Sequence, residues 1–233
     1  SPLTIANVGG GTLTWSIQEA PSARKPVAMS QLVLDTVADP NASFGGSGLS
    51  PSLLGMPIAT PLVDIPLLQN MSTTPVANAS VACGNNTAGY TTQNSYWRRF
   101  YFSEHPGLEK GANITSVDVS VEAAMGASLS LTVNLYSIPH SVAVDTIPVG
   151  SLALIGTTTV SIPDGTTLSS INVPVTGMIA DTANNDLVVE VNSPDYSSSS
   201  PAMAFYIGSN AAGQSHPGFL SAPICGISAP TTT

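Results

Sequence analysis

Lysine and arginine are nearly missing from this chain of 233 residues: there are five in all, Arg24, Lys25, Arg98, Arg99 and Lys110, and none after position 110. Eight aspartates and glutamates lie in that same C-terminal stretch, and the formal net charge is −9. Nucleic-acid binding needs a basic footprint that displaces counterions from phosphate, and this composition cannot supply one. Anionic membrane surfaces are excluded as partners by the same deficit. Long apolar runs are missing too. The nearest, Leu53 to Leu68, is broken by Pro57, Pro61 and Pro66 and falls short of the ~20 residues a membrane helix needs. Cysteine is limited to Cys83 and Cys225 and histidine to His105, His140 and His216, a set too sparse and scattered for a zinc site.

Catalytic motifs are absent as well. The chain has no Gly-x-Ser-x-Gly elbow, no His-Glu-x-x-His, no phosphate-binding loop and no dinucleotide fingerprint. Each histidine neighbours proline or serine, as turn residues do. Carboxylates that cleave glycosides pair only in space. The strand-borne candidates, Asp118, Glu122 and Glu190, fall where polar outward faces are expected. The expectation is no catalytic residue and no cofactor.

What is present is apolar and neutral. Hydrophobic residues make up 42% and charged residues 8%, against roughly 25% charged in ordinary globular domains. Such a chain folds, and builds its surface from Ser, Thr, Asn and Gly. It carries no signal peptide and does not begin with Met, so it reads as a mature or excised segment of a secreted protein.

Residues 1–20 read as strand, turn, strand: Leu3, Ile5 and Val8, then Gly9-Gly10-Gly11, then Leu13, Trp15 and Ile17 alternating with polar residues. Two strands make no core of their own, so this pair is expected to pack elsewhere, on an immunoglobulin-like unit or on another subunit. Residues 21–80 are rich in proline and read as an extended arm. Within it Leu53, Leu54, Met56, Ile58, Leu62, Val63, Ile65, Leu67 and Leu68 are too apolar to leave in water. The arm either wraps its own domain or docks on a neighbour.

From 81 to 233 the pattern is that of an antiparallel β-sandwich, jelly-roll-like or immunoglobulin-like. Strands are expected at Ile114–Val121, Leu129–Ile138, Leu152–Ile162, Leu168–Val175, Leu187–Asn192 and Ala202–Ile207, with turns at Pro163-Asp164-Gly165 and Asn184-Asn185-Asp186. Ahead of them Tyr96, Arg98, Phe100 and Phe102 alternate with Trp97, Arg99 and Tyr101, a strand with two useful faces. The two cysteines flank the strand-rich region, where a disulfide staple or two buried thiols would both fit.

Asn-Val-Gly-Gly-Gly-Thr-Leu-Thr-Trp-Ser-Ile at 7–17 resembles the first strands of immunoglobulin-like modules of large bacterial surface and secreted proteins. The stretch from Cys83-Gly84 through Tyr96-Trp97-Arg98 to Pro223-Ile224-Cys225-Gly226-Ile227 resembles a β-sandwich accessory module of secreted bacterial proteins, subtilisin-like peptidases among them. The resemblance implies an extracellular, accessory, non-catalytic role and a paired Cys83 and Cys225. It also implies a further strand beyond Thr233.

Candidate sites follow from residue chemistry. Tyr96, Trp97, Arg98, Arg99 and Tyr101 could bind glycan by ring stacking and charged hydrogen bonds. Alternatively, Trp97 and Phe100 are core, and the arginines pair with Glu104, Glu109 or another carboxylate. Asp181, Asn184, Asn185 and Asp186 form the best oxygen cluster for calcium, or a plain turn. Asn41, Asn70, Asn78, Asn85 and Asn113 are glycosylation acceptors. The combined expectation is an extracellular structural or adhesive protein that assembles with itself into a fibre, sheath or layer on a cell surface. The alternative is a carbohydrate- or substrate-binding accessory module of a secreted hydrolase.

Overall fold

The computed structural model describes residues 64–233 and the backbone of Leu3–Asn7 and Leu13–Thr14. Fourteen strands appear among them, and the chain is an all-β sandwich of two six-stranded sheets. Most of the sandwich is built by long strands whose alternation was plain in sequence. In β8 (Leu129–Pro139), Leu129, Leu131, Val133 and Leu135 are fully buried, and the residues between them face outward. In β7 (Ala112–Met125), Val117, Val119 and Val121 point into the same core. Each such side chain withdrawn from water contributes about 1.5–3 kcal/mol, which is what holds the two layers face to face.

The first sheet runs β10 (Thr167–Ile179), β7, β2 (Leu13–Thr14), β1 (Leu3–Asn7), β3 (Asp64–Leu67), with β12 (Ala204–Ile207) also on β7. The second runs β14 (Ile227–Thr232), β13 (Phe219–Ala222), β6 (Asn94–Phe100), β11 (Asn185–Ser193), β8, β9 (Ala153–Ile162). A short hairpin, β4 (Gly84–Asn85) with β5 (Tyr90–Thr91), stands apart. The chain changes sheets between β9 and β10 at the expected Pro163-Asp164-Gly165 turn, where Gly165 takes φ +77° and Asp164 accepts the Gly126 N–H at 2.8 Å. Away from that turn, where β9 crosses the far end of β10, a Cβ on Gly156 would stand 2.1 Å from the Thr176 carbonyl oxygen, so only glycine fits.

β1 is an inner strand of the first sheet. It pairs with β7 from Leu3↔Val117 to Asn7↔Ala112, with β3 (Leu3↔Leu67, Thr4↔Pro66) and with β2 (Ile5↔Thr14, Ala6↔Leu13), and β2 also meets β7 at Leu13↔Ile114. β1 and β2 thus belong to one compact unit with Pro61–Thr233. Residues 61–80, grouped in sequence with the arm, lie in that unit. Leu67 is fully buried, Ile65 packs on the core, and Leu68 is exposed. Leu53, Leu54, Met56, Ile58, Leu62 and Val63 lie outside the described residues.

Cys83 and Cys225 form a disulfide across a sequence separation of 142. Closing so long a loop removes much of the unfolded chain's freedom, worth about 4–5 kcal/mol by the loop-entropy argument. Such a bond forms in an oxidising compartment. No described helix is long and apolar enough to cross a membrane.

Candidate functional site

Strand β6 places two adjacent arginines on opposite faces of the second sheet, and their surroundings could hardly differ more. Arg99 points outward yet is only 2% exposed. Its Nε and Nη2 donate to Asp186 Oδ2 at 3.1 and 2.8 Å. The remaining N–H groups donate to carbonyls of the β8–β9 connection: Nη1 to Ala143 at 2.9 Å and Thr146 at 3.2 Å, Nη2 to Val142 at 3.1 Å. Its guanidinium also stacks 4.9 Å from the Tyr101 ring. The charge is neutralised and every fork of the side chain is used, so Arg99 fastens a loop over the sheet. Under that loop Trp97, Ile138, Ile147, Val188 and Phe219 form a second small core, and Trp97 Nε1 donates to Ser221 Oγ at 3.0 Å.

Arg98 points the other way, between the sheets. Its Nη2 donates to Gln214 Oε1 at 2.7 Å, but Nη1 is enclosed without any hydrogen-bond partner. No ion pair is recorded for it among the described residues. Burial without a compensating charge pulls its pKa down to about 10. Two residues away on the same face, the Tyr96 hydroxyl is also buried and unpartnered, and its pKa is raised by burial and by Tyr206. Both residues border a cavity of about 350 Å³ whose lining includes Phe100, Val117 and Val189. Its rim includes the exposed Ala79, Val81, Gly213 and Thr233, so it reaches solvent. One side of the rim is held by Glu122, whose carboxylate accepts the N–H groups of Asn78, Ala79 and Ser80 at 2.9, 3.1 and 2.8 Å.

The solvent-facing ring surface expected for sugar stacking is not formed: Tyr96, Trp97 and Tyr101 are 8%, 6% and 3% exposed. Sheet pairing buries both faces of β6, one under the opposite sheet and one under the β8–β9 loop. The calcium cluster is divided as well. Asp181 accepts from Asn184 Nδ2 at 2.9 Å as a turn residue does, whereas Asp186 is turned inward to Arg99, with His140 Nδ1 at 3.1 Å. Among the described residues no group of three metal-ligating side chains converges. Asp118 and Glu190 lie on the outer faces of their sheets, as read from the alternation, but are covered rather than exposed. Asp118 is buried and accepts from Asn172 Nδ2 at 2.6 Å; Glu190 is buried and accepts from Asn134 Nδ2 at 2.9 Å and Tyr136 Oη at 2.8 Å. These are cross-strand polar pairs that sit inside the sheet's cover.

Two of the three histidines, His140 and His216, are held by carboxylates. His216 bridges Asp145 at 2.9 Å and Glu104 at 2.8 Å and packs on Tyr101 at 4.6 Å between centroids. Burial lowers its pKa, but the two carboxylates outweigh burial and the net direction is up. His105 goes the other way: burial lowers it more than Glu104 raises it. Of the glycosylation acceptors, Asn78 and Asn85 are exposed, Asn70 and Asn113 are half-buried, and Asn41 lies outside the described residues.

No protein-family model matches the chain. Neither a curated protein nor a solved structure is significantly similar to it.

Proposed function

We propose that this chain is a non-catalytic extracellular subunit that assembles with copies of itself by exchanging its N-terminal strand. One observation carries the reading: β1 is an inner strand whose removal opens a slot one strand wide, between the β7 edge at Ala112–Val117 and β3. Such a slot exposes two rows of unpaired N–H and C=O groups, which an extended segment of any copy can satisfy equally well. Exchange therefore conserves every ladder bond. In sequence, Gln18–Thr60 stands between the β1–β2 pair and the rest of the unit they belong to. Head-to-tail donation is a heterologous contact, and it grows into fibres unless the rotation closes a ring. Charged side chains are few, 8% of the chain, so most of the surface is neutral and polar; the net charge of −9 opposes association and makes assembly dependent on salt.

The test is the mass of the native species by light scattering, with negative-stain imaging. The intact chain should grow beyond one subunit as concentration rises. A chain lacking residues 1–20 should keep its disulfide and sandwich, stay monomeric, and take up a synthetic peptide of residues 1–17. Unchanged assembly after that deletion would refute strand exchange.

The Arg98 cavity favours a second reading, an accessory binding module of a secreted bacterial protein. Retention of the monomer on an insoluble polysaccharide, with no polymer formed, would support it over the first.

A further inference from the structure

We infer that the cavity between the sheets is a binding site for a small monocarboxylate whose acid group is borne on a ring. The inference stands whether or not β1 is exchanged. Arg98 brings one positive charge to the cavity and no described carboxylate pairs with it. One uncompensated charge is matched by a monoanion; a dianion would bring a second charge with nothing to meet it. The planar guanidinium fork fits a carboxylate, and it has Nη1 to spare while Gln214 occupies Nη2. Tyr96 Oη is a second donor without a partner on the same side of the strand. Buried polar groups in folded proteins nearly always have partners, so three orphans on residues bordering one cavity, Ser80 Oγ with these two, mark where a ligand's polar atoms belong.

The remaining wall sets the body of the ligand. Phe100, Val117, Val189 and Ile207 offer apolar surface, and Asn210 gives the rim a polar group. A cavity of about 350 Å³ falls at the small end of ligand pockets, large enough for one ring and its acid group. The neighbouring Arg99 shows by contrast what a purely structural arginine looks like here: every fork filled and its charge cancelled.

The sparsity of arginine makes the test direct. The chain has only Arg24, Arg98 and Arg99, so the side-chain Nε–Hε region of a nitrogen-15 NMR spectrum holds three signals. The intact protein would be titrated at constant ionic strength with sodium benzoate, sodium galacturonate and inorganic phosphate. Benzoate and galacturonate separate an aromatic acid from an acidic sugar as the source of the ring-borne group. The expected result is saturable movement of the Arg98 signal with at least one of the two, little with phosphate, and no movement of Arg99. In Arg98→Gln, with folding checked by backbone amide spectra, the remaining backbone response should weaken at least ~10-fold, as loss of a charged hydrogen-bond pair implies. No saturable response to either carboxylate, an equal response to phosphate, or equal affinity in Arg98→Gln overturns the inference. The wild-type titration decides the matter even where the variant fails to fold.

Discussion

Replacing Arg98 by methionine removes a charge that the fold holds at a loss. Burial lowers its pKa from 12.5 to about 10, and at about 1.4 kcal/mol per pKa unit the folded state gives up about 3 kcal/mol to keep it protonated. Methionine keeps an aliphatic stem on the inner face that Arg98 shares with Phe100 and leaves Gln214, which is half-buried, free to turn to water. Arg98→Met is therefore expected to stabilise the protein by about 1–3 kcal/mol at pH 7, or roughly 2–10 °C in Tm for a domain of this size. The pH dependence has a definite sign. A cationic group with a depressed folded pKa carries its full penalty below that pKa and sheds it as it deprotonates, so the variant's advantage should be constant below about pH 10 and shrink above it. Thermal and urea melts of both proteins in carboxylate-free buffer would measure it. A variant less stable than the wild type at pH 7 would refute the reasoning, because it would mean that Arg98 contributes to the fold rather than to what binds there.

Asp186→Asn should do the opposite, costing about 3–5 kcal/mol because it leaves the Arg99 charge buried and unpaired, whereas Arg99→Met with Asp186→Leu should recover much of that loss. Equal damage in the single and double variants would contradict this. Reduction of Cys83–Cys225 should lower stability by about 4–5 kcal/mol in urea melts, with no thiol reactive toward alkylation before reduction. His216 has its pKa raised by Asp145 and Glu104 in spite of burial, so its contribution is complete below its unfolded pKa near 6.5 and is lost as pH rises through the folded value. His216→Ala should thus cost more at pH 5.5 than at pH 8.5, read from paired melts.

Where alternation was strong, the strands could be read from sequence with some accuracy. Leu129–Ile138 and Leu187–Asn192 differ from the observed β8 and β11 by a residue or two at their ends, and Pro163-Asp164-Gly165 is the turn it was read to be. β13 and β14 escaped notice because Phe219–Ala222 is too short to show a period and Ile227–Thr232 contains a proline, which an edge strand tolerates. The two faces of β6 were legible, but not that both would be covered. That depends on the β8–β9 loop folding over Trp97 and Arg99, a contact between residues some 40 positions apart. Asp118 and Glu190 looked like surface for the same reason. Their partners Asn172, Asn134 and Tyr136 come alongside only once the strands are in register. The cavity left no trace in the one-dimensional pattern, where Arg98 and Arg99 are indistinguishable.

The position of the disulfide has a consequence for how the molecule would break. Trypsin cleaves after lysine and arginine, and among the described residues those are Arg98, Arg99 and Lys110. The first two lie within β6, paired on both edges, so their peptide bonds cannot enter a protease. Lys110 sits on an exposed turn, and although Gly111 is buried with its N–H held by Leu108 and Thr182, the bond between them is the one of the three that lies outside a paired strand. Cys83 lies before that bond and Cys225 after it, so a cut there would leave the two fragments covalently joined. β6 would remain locked between β11 and β13 from the other fragment. A single nick after Lys110 would be visible only after reduction and unfolding, and the two fragments would stay together in the sandwich.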